Sequence, residues 1–444
     1  MGPLAAGTGM TEYRVVLVRP QSDGILALAS AICFCLPRVK IPSMGRPAQQ
    51  LQRAMKAAWG ISAFILDTWW APHGGSPCAV AVILSTAINP TLQEVALDQL
   101  ANSELSSDEL HGVQSLMKNR SRFPVAHIGW TGEAMDWVMS VTGARFARND
   151  DVEQLNGGGG FVLMRLRSDE GKSYWLKTTG MPNMHELSVT SCLSGLCPEF
   201  LPKLVATRSD WNAWLTEDAG KESSNPIADA DLFQAIRSFA SLQLQTANAI
   251  DVLLTAGAFD QRIPVVRRHL DGVVSFLIDA MAKQTSAKVA PLGRRRVLEL
   301  GDILGDALSQ MDALGIPEAV LHNDLNLGNI LFAGTNCVFT DWSEAAIGNP
   351  FLSLDRFRLL RPEAAPELYR AYSECWVGLI SDETVRRAVN LAPLLSIFTY
   401  LYGRGDWLED TNKVTLPFES YARSLARHMD RAAQNPEFRE ALCR

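Results

Sequence analysis

The 444-residue sequence predicts an α+β chain in two parts. Three observations carry this. Strand-like and helix-like stretches alternate up to about residue 148, short strands with turn chemistry between them fill about 149–218, and from Asp229 onward the apolar pattern is almost wholly helical. The composition, 47% hydrophobic and 20% charged, is that of a globular chain, and the length suits two or three domains.

In the first part, Tyr13–Arg19 and Gly24–Cys35 read as strands around a Gln-Ser-Asp-Gly turn. Ala48–Ala58 reads as an amphipathic helix with Leu51, Met55 and Ala58 inward, ended by Gly60. Phe64–Trp69 and Ala79–Thr86 read as strands around Pro72-His73-Gly74-Gly75, and helical pattern resumes over Thr91–Leu100, Ser107–Lys118 and Glu133–Thr142. The basic cluster Lys118, Arg120 and Arg122 fits a solvated helix end.

In the second part, Asp150–Leu155 and Phe161–Arg167 read as strands flanking Asn156-Gly157-Gly158-Gly159-Gly160. Such a glycine run lets backbone N–H groups approach phosphates, although a flexible linker has the same composition. Asp169–Lys172 reads as a hairpin turn into Ser173–Thr178, which ends at Lys177. Met184–Leu196 follows as a helix with Leu187, Cys192 and Leu196 inward, then strands at Phe200–Val205 and Trp211–Glu217, and a connecting hinge at Glu217–Gly220. Helices are predicted over Asp231–Thr246, Val265–Lys283, Arg294–Leu314 and from Pro366 onward. The charges of Arg294–Arg296 fit a solvated corner.

Chemistry is concentrated in Val320-Leu321-His322-Asn323-Asp324-Leu325-Asn326-Leu327-Gly328-Asn329-Ile330, followed by Val338-Phe339-Thr340-Asp341-Trp342. Two apolar runs end in acids, with an Asn on the loop between them. Any one of these residues is an ordinary turn former. Together and in order they form the set that phosphoryl transfer from ATP requires. One carboxylate takes the proton of the attacking hydroxyl, and an amide and a second carboxylate hold Mg²⁺. Asp324 suits the first role, and Asn329 and Asp341 the second.

His-Asn-Asp-Leu-x-x-x-x-Asn with Thr-Asp-Trp resembles the catalytic and metal loops of the aminoglycoside phosphotransferase and choline kinase families. The resemblance implies a protein-kinase-like two-lobed fold over 149–444. Its small, mostly antiparallel β lobe would span about 149–218 and its large helical lobe about 219–444. It further implies that Lys177 pairs with ATP phosphates beside Gly157, Gly158, Gly159 and Gly160, that Glu186 holds Lys177, and that His322 and Asp355 support the catalytic loop. A helix N-terminal acid favoured by the macrodipole is the other reading of Glu186. Ser241-Leu242-Gln243 stands where related kinases often have Leu-His, and Asn349 where they have an Asp. No Ala-Pro-Glu follows Asp341, so a small alcohol suits the acceptor site better than a peptide. Asp406, Trp407, Glu409 and Asp410 could attract a cationic acceptor, or be a solvated helix-end loop.

Residues 1–148 resemble a Nudix α/β domain through Arg53-Ala54-Met55-Lys56-Ala57-Ala58-Trp59-Gly60-Ile61. Arg53, Met55, Gly60 and Ile61 match that pattern. Ala54, Ala57 and Ala58 replace its three glutamates, and Val39 and Gly45 stand in place of its Gly and first Glu. An alanine methyl cannot bind Mg²⁺, so this part is expected to be non-catalytic. A generic α/β domain with a helix of similar rhythm is the alternative.

Charge and cysteine content narrow the partners. The net charge is −7, with about +1 over residues 1–150 and −8 in the rest, which makes nucleic acid an unsuited partner. Eight cysteines without a CxxC suggest neither a disulfide framework nor a zinc site. No leader pattern opens the sequence and no apolar run is long enough to span a bilayer, so a cytoplasmic protein is expected. The expected activity is transfer of the ATP γ-phosphate, with Mg²⁺, to a hydroxyl of a small molecule: an aminoglycoside, an amino alcohol, a sugar or a nucleoside. The rivals are a non-catalytic nucleotide-binding regulator and a Nudix-type hydrolase.

Overall fold

Side-chain alternation along the first strand sets the layers of the N-terminal half. In strand β1 (Met10–Val18), Val15 and Leu17 enter one hydrophobic cluster and Val16 and Val18 another, as a strand buried on both faces requires. The computed structural model describes all residues except 1–8, 21, 32, 70–74, 85–88, 119–122, 147–151, 159, 225, 404–415 and 444. It divides into two compact units, Met1–Leu187 with Lys203–Asp218, and Ser188–Pro202 with Ala219–Arg444.

In the first unit, β2 (Ile25–Ala29), β3 (Phe34–Cys35), β4 (Arg38–Pro42), β5 (Ala63–Trp69), β6 (Cys78–Ile83) and β7 (Leu92–Val95) join β1 in a mixed seven-stranded sheet. Its fully buried β6 runs parallel to β1. Helix α1 (Pro47–Trp59) covers one face through Ala48, Leu51 and Met55; it starts on Pro47 and ends at left-handed Gly60, whose N–H returns to Lys56 O. Helices α2 (Ser107–Met117) and α3 (Trp130–Thr142) cover the other face. A second, antiparallel sheet follows: β8 (Val152–Asn156), β9 (Phe161–Arg167), β10 (Ser173–Thr179), β11 (Leu204–Arg208) and β12 (Ala213–Glu217), in the order β11-β12-β10-β9-β8. Its Met164, Leu166, Leu176 and Leu215 lie in the same cluster as Val16, Val80 and Trp130, so both sheets share one core.

Helix α4 (Glu186–Leu196) leads into the second unit, which holds β13 (Lys221–Glu222), α5 (Asp229–Thr246), α6 (Ile250–Ala256), β14 (Phe259–Asp260), α7 (Ile263–Arg268), α8 (Leu270–Ala282) and α9 (Arg294–Ala313). The loop region contributes β15 (Ala319–His322), β16 (Ile330–Ala333), β17 (Asn336–Phe339) and β18 (Ala345–Gly348). Behind it come α10 (Leu354–Leu360), α11 (Ala365–Glu374), α12 (Asp382–Tyr402), α13 (Leu416–Ala432) and α14 (Pro436–Cys443). Two small sheets, β13-β16-β17 and β14-β18-β15, lie against a helical core with Phe239, Leu304, Phe351 and Leu395 fully buried.

Several sequence expectations are corrected. Gly24–Cys35 is a hairpin, not one strand: Ser30 N–H bonds Cys33 O at 2.8 Å, so Cys33 sits in the turn and Cys35 in the strand. Thr91–Leu100 contains β7 and a 3₁₀ turn at Leu97–Gln99 rather than an α-helix, because Leu92–Val95 pairs along the edge of β2. Val265–Lys283 is two helices broken at His269. Phe200–Val205 opens in a 3₁₀ turn, and its strand begins only at Leu204. Ala58 and Leu196 face solvent, while Val189 and Leu193 carry the inward face of α4. Burial pushes the Cys78 and Cys337 thiols up to about 12, the behaviour of small core hydrophobes. Among the described residues no helix is long and apolar enough to cross a membrane.

Glu318, just before β15, is a half-buried acid whose Oε2 has no hydrogen-bond partner among the described residues. Burial raises its carboxyl from an ordinary 4.5 to about 7, with Arg262 opposing and Asp260 and Asp312 reinforcing the rise. The folded chain thus binds this proton more tightly than the unfolded chain, and stability falls as pH climbs from the lower value through the upper one. Glu318→Gln is expected to raise unfolding stability by about 2–3 kcal/mol at pH 8, with the gain vanishing near pH 4. Urea unfolding at the two pH values checks this.

Candidate functional site

Strand β15 is fully buried and pairs antiparallel with β18, from Ala319↔Gly348 to His322↔Ala345. It delivers His322 to the sheet edge with 1% of its surface exposed. There His322 Nε2 lies 2.8 Å from Thr340 O, and its ring lies 4.6 Å from that of Trp342. The chain then turns through Asp324. Asn326 caps the 3₁₀ turn Leu327–Asn329 by accepting from Gly328 N–H at 2.9 Å, and its Nδ2 donates to Asp324 O at 3.0 Å. Asn329 Nδ2 donates to the same carbonyl at 2.8 Å and to Asp324 Oδ2 at 3.2 Å. Two amides therefore fix the direction of the Asp324 carboxylate.

Asp341 is brought to this loop by the β16–β17 hairpin. Ile330 pairs with Phe339, and Thr340 N–H extends the ladder to Asn329 O at 3.0 Å, so Asn329 and Asp341 flank its open end. Asp341 adopts φ +65° and ψ +68°, a left-handed conformation uncommon outside glycine and concentrated at functional positions. Buried Trp342 anchors the bend through Nε1–H to Phe339 O at 3.1 Å, and Ser343 Oγ donates to Asp341 Oδ1 at 3.1 Å.

The first unit holds the second set. Lys177, in β10, bonds Glu186 Oε1 at 2.5 Å, with 11% and 1% of the two side chains exposed. The Phe161 and Trp214 rings lie 5.2 and 5.6 Å from the ammonium. Gly157 is required by packing, since a Cβ there would meet Gln154 Nε2 at 2.1 Å and Ile65 O at 2.9 Å. Gly158 has φ +155°, and Gly160 O accepts from Gly180 N–H at 2.7 Å. Gly159 lies outside the described residues, as do Asp406, Trp407, Glu409 and Asp410.

Asp355 is buried and pairs with Arg358 one turn along α10. Asn349 caps the turn Pro350–Ser353 by accepting from Phe351 N–H at 3.1 Å. Beside Asp355, the Arg356 guanidinium lies 3.9 Å over the Tyr400 ring. Gln243 proves to be a structural junction. From α5 it donates to Val320 O at 3.1 Å and Pro350 O at 3.3 Å, and accepts from Tyr372 Oη at 2.6 Å. Its register on the inward face of α5, four residues after Phe239, is the signal that could have revealed it. Gln243→Leu strands these groups and is expected to cost about 2–3 kcal/mol in urea unfolding.

Residues 215–376 match the family described as "Phosphotransferase enzyme family", so this segment is a phosphotransferase-family domain. It contains His322, Asp324, Asn329, Asp341 and Asp355, and starts after Lys177 and Glu186. Among solved structures, the chain is similar to a choline/ethanolamine kinase family protein from Mesorhizobium loti. The identity is 17%, with 70% of this chain and 98% of that one covered and a TM-score of 0.44. It is likewise similar to a macrolide 2'-phosphotransferase from Brachybacterium faecium, at 17% identity, 66% and 97% coverage and a TM-score of 0.44. A putative fructosamine-3-kinase from Thermobifida fusca aligns at 14% identity, 67% and 98% coverage and a TM-score of 0.42. No curated protein matches the chain.

Proposed function

We propose that this protein transfers the γ-phosphoryl group of ATP to a hydroxyl of a small molecule. The observation that carries this is the Asp324–Asn329–Asp341 loop pair, held by its own hydrogen bonds inside the phosphotransferase-family segment. In the reaction, Asp324 accepts the proton as the acceptor oxygen forms its bond to phosphorus, and ADP departs with the electrons of the broken P–O bond. Lys177, braced by Glu186, pairs with the phosphates, and the glycine run Gly157, Gly158, Gly159 and Gly160 is proposed to offer them backbone N–H groups. Asn329 and Asp341 suit Mg²⁺, which prefers oxygen donors: Asn329 commits its Nδ2 to Asp324, which leaves Oδ1 as the atom that would serve as a ligand. Bound there, the ion would neutralise phosphate charge. His322, through Thr340 O, and Asp355, through Arg358, support the loop and the helix behind it.

The acceptor is proposed to be an aminoglycoside, amino alcohol, sugar or nucleoside, a cationic one being drawn by Asp406, Glu409 and Asp410. For residues 1–148 we propose a non-catalytic Nudix-like part, with Ala54, Ala57 and Ala58 offering no metal ligand on α1. The test is ADP release from ATP and Mg²⁺ over a panel of amines, amino sugars, sugars and nucleosides. Turnover that appears with one acceptor class supports the proposal and identifies that class. ATP binding without turnover on any acceptor would instead indicate a nucleotide-binding regulator.

A further inference from the structure

A cavity of about 320 Å³ opens in the first unit, where α1 meets β8 and β9. Among the described residues its walls bring together four cations, Arg53 and Lys56 from α1 and Arg165 and Arg167 from β9, with a single carboxylate, Glu153. This is a concentration of positive charge in a chain whose net charge is −7. Glu153 is already engaged, accepting from Gln49 Nε2 at 2.6 Å and Arg53 Nη2 at 3.1 Å. Arg165 bonds Asp218 at 3.1 Å, and its buried Nε has no partner among the described residues. Arg167 forms no ion pair among the described residues, although it belongs to the lining.

The site is built rather than draped. Gln52, on the same face of α1, donates to Ala63 O at 2.8 Å and accepts from Gln154 N–H at 3.0 Å, which ties the helix to both sheets. Below it the Gln154 side chain, with no exposed surface, exchanges two 2.8 Å bonds with the backbone of Ile65. The cations are thus carried on a helix and a strand tied into one shared core, so the spacing of their backbone positions is set before any ligand arrives. The volume suits a small ligand, and guanidinium forks match phosphate oxygens two at a time.

We propose that this cavity binds a small phosphate-bearing polyanion, of the diphosphate class, separately from the Lys177–Glu186 set. The proposal is independent of the phosphotransferase reading. Its probe is inorganic pyrophosphate, titrated calorimetrically into the full chain carrying Lys177→Met and Glu186→Leu, which removes the other phosphate-pairing lysine. Saturable binding is expected, weakening as salt screens the charges. Adding Lys56→Glu and Arg167→Glu is expected to weaken it by about tenfold or more, whereas Arg167→Lys, which keeps the charge and loses only the fork, is expected to weaken it by a smaller factor of about two to five. Both charge-reversed side chains are exposed, so the thermal midpoint should hold and separate lost binding from lost folding. No binding at millimolar pyrophosphate would overturn the proposal. So would equal binding with and without the charge reversals, which would mark a merely solvated basic face.

Discussion

Asp324→Asn is expected to lower acceptor-dependent turnover by about a thousandfold while leaving Mg·ATP affinity within about threefold. The amide retains the shape of the carboxylate and can turn its oxygen toward Asn329 Nδ2, so the loop bonds at 2.8 and 3.2 Å need not be lost. What is lost is the proton acceptor, and only the transition state needs it. The effect should therefore fall on kcat rather than on nucleotide binding. Asn326→Ala provides the contrast. It removes a cap and one of the two amides that aim Asp324, yet leaves the base in place, so a loss of about tenfold is expected. Steady-state kinetics on the best acceptor of the panel checks both. Undiminished turnover in Asp324→Asn would exclude it as the base.

Lys177→Ala is expected to fail twice over. It leaves the Glu186 carboxylate, 1% exposed, without its 2.5 Å partner, at a cost of about 3–5 kcal/mol. It also removes the cation proposed to meet the phosphates. The two losses separate in the pair Lys177→Met and Glu186→Leu, which replaces a buried ion pair by apolar groups of similar volume. That double variant should regain most of the stability, because neither charge is left buried alone. It should not regain ATP affinity, which is expected to stay reduced by about tenfold or more. Urea unfolding and calorimetric ATP titration read the two quantities independently. Wild-type ATP affinity in the double variant would show that Lys177 serves the fold and not the nucleotide.

The loop chemistry was legible in the sequence because it is local. Asp324 and Asn329 are five residues apart, and Asp341 follows a hairpin whose two strands are visible as apolar runs. Lys177 and Glu186 are nine apart, at a strand end and a helix start. The role of Gln243 is not legible in the sequence, for the opposite reason. Its partners lie 77, 107 and 129 residues along the chain, beyond what any local pattern conveys. The same limit applies to β7, whose sequence fits a helix and whose strand form is imposed by pairing with β2. It applies also to the core that places Met164 with Val16, and to the cavity that gathers Arg53 with Arg167. Charges more than a hundred residues apart on a helix and a strand carry no mutual signature until the two elements pack. The glycine run shows a different ambiguity, since a residue without a Cβ serves both a phosphate and a packed neighbour. At Gly157 the neighbour is Gln154.

Phosphoryl transfer itself is tested most directly by phosphorus NMR of the wild-type protein with ATP, Mg²⁺ and the acceptor that supports the fastest ADP release. A phosphate-ester resonance growing in step with ADP, and absent with Asp324→Asn, is the expected result. ADP accompanied only by inorganic phosphate, or an ester formed equally by the Asp324→Asn variant, would contradict it.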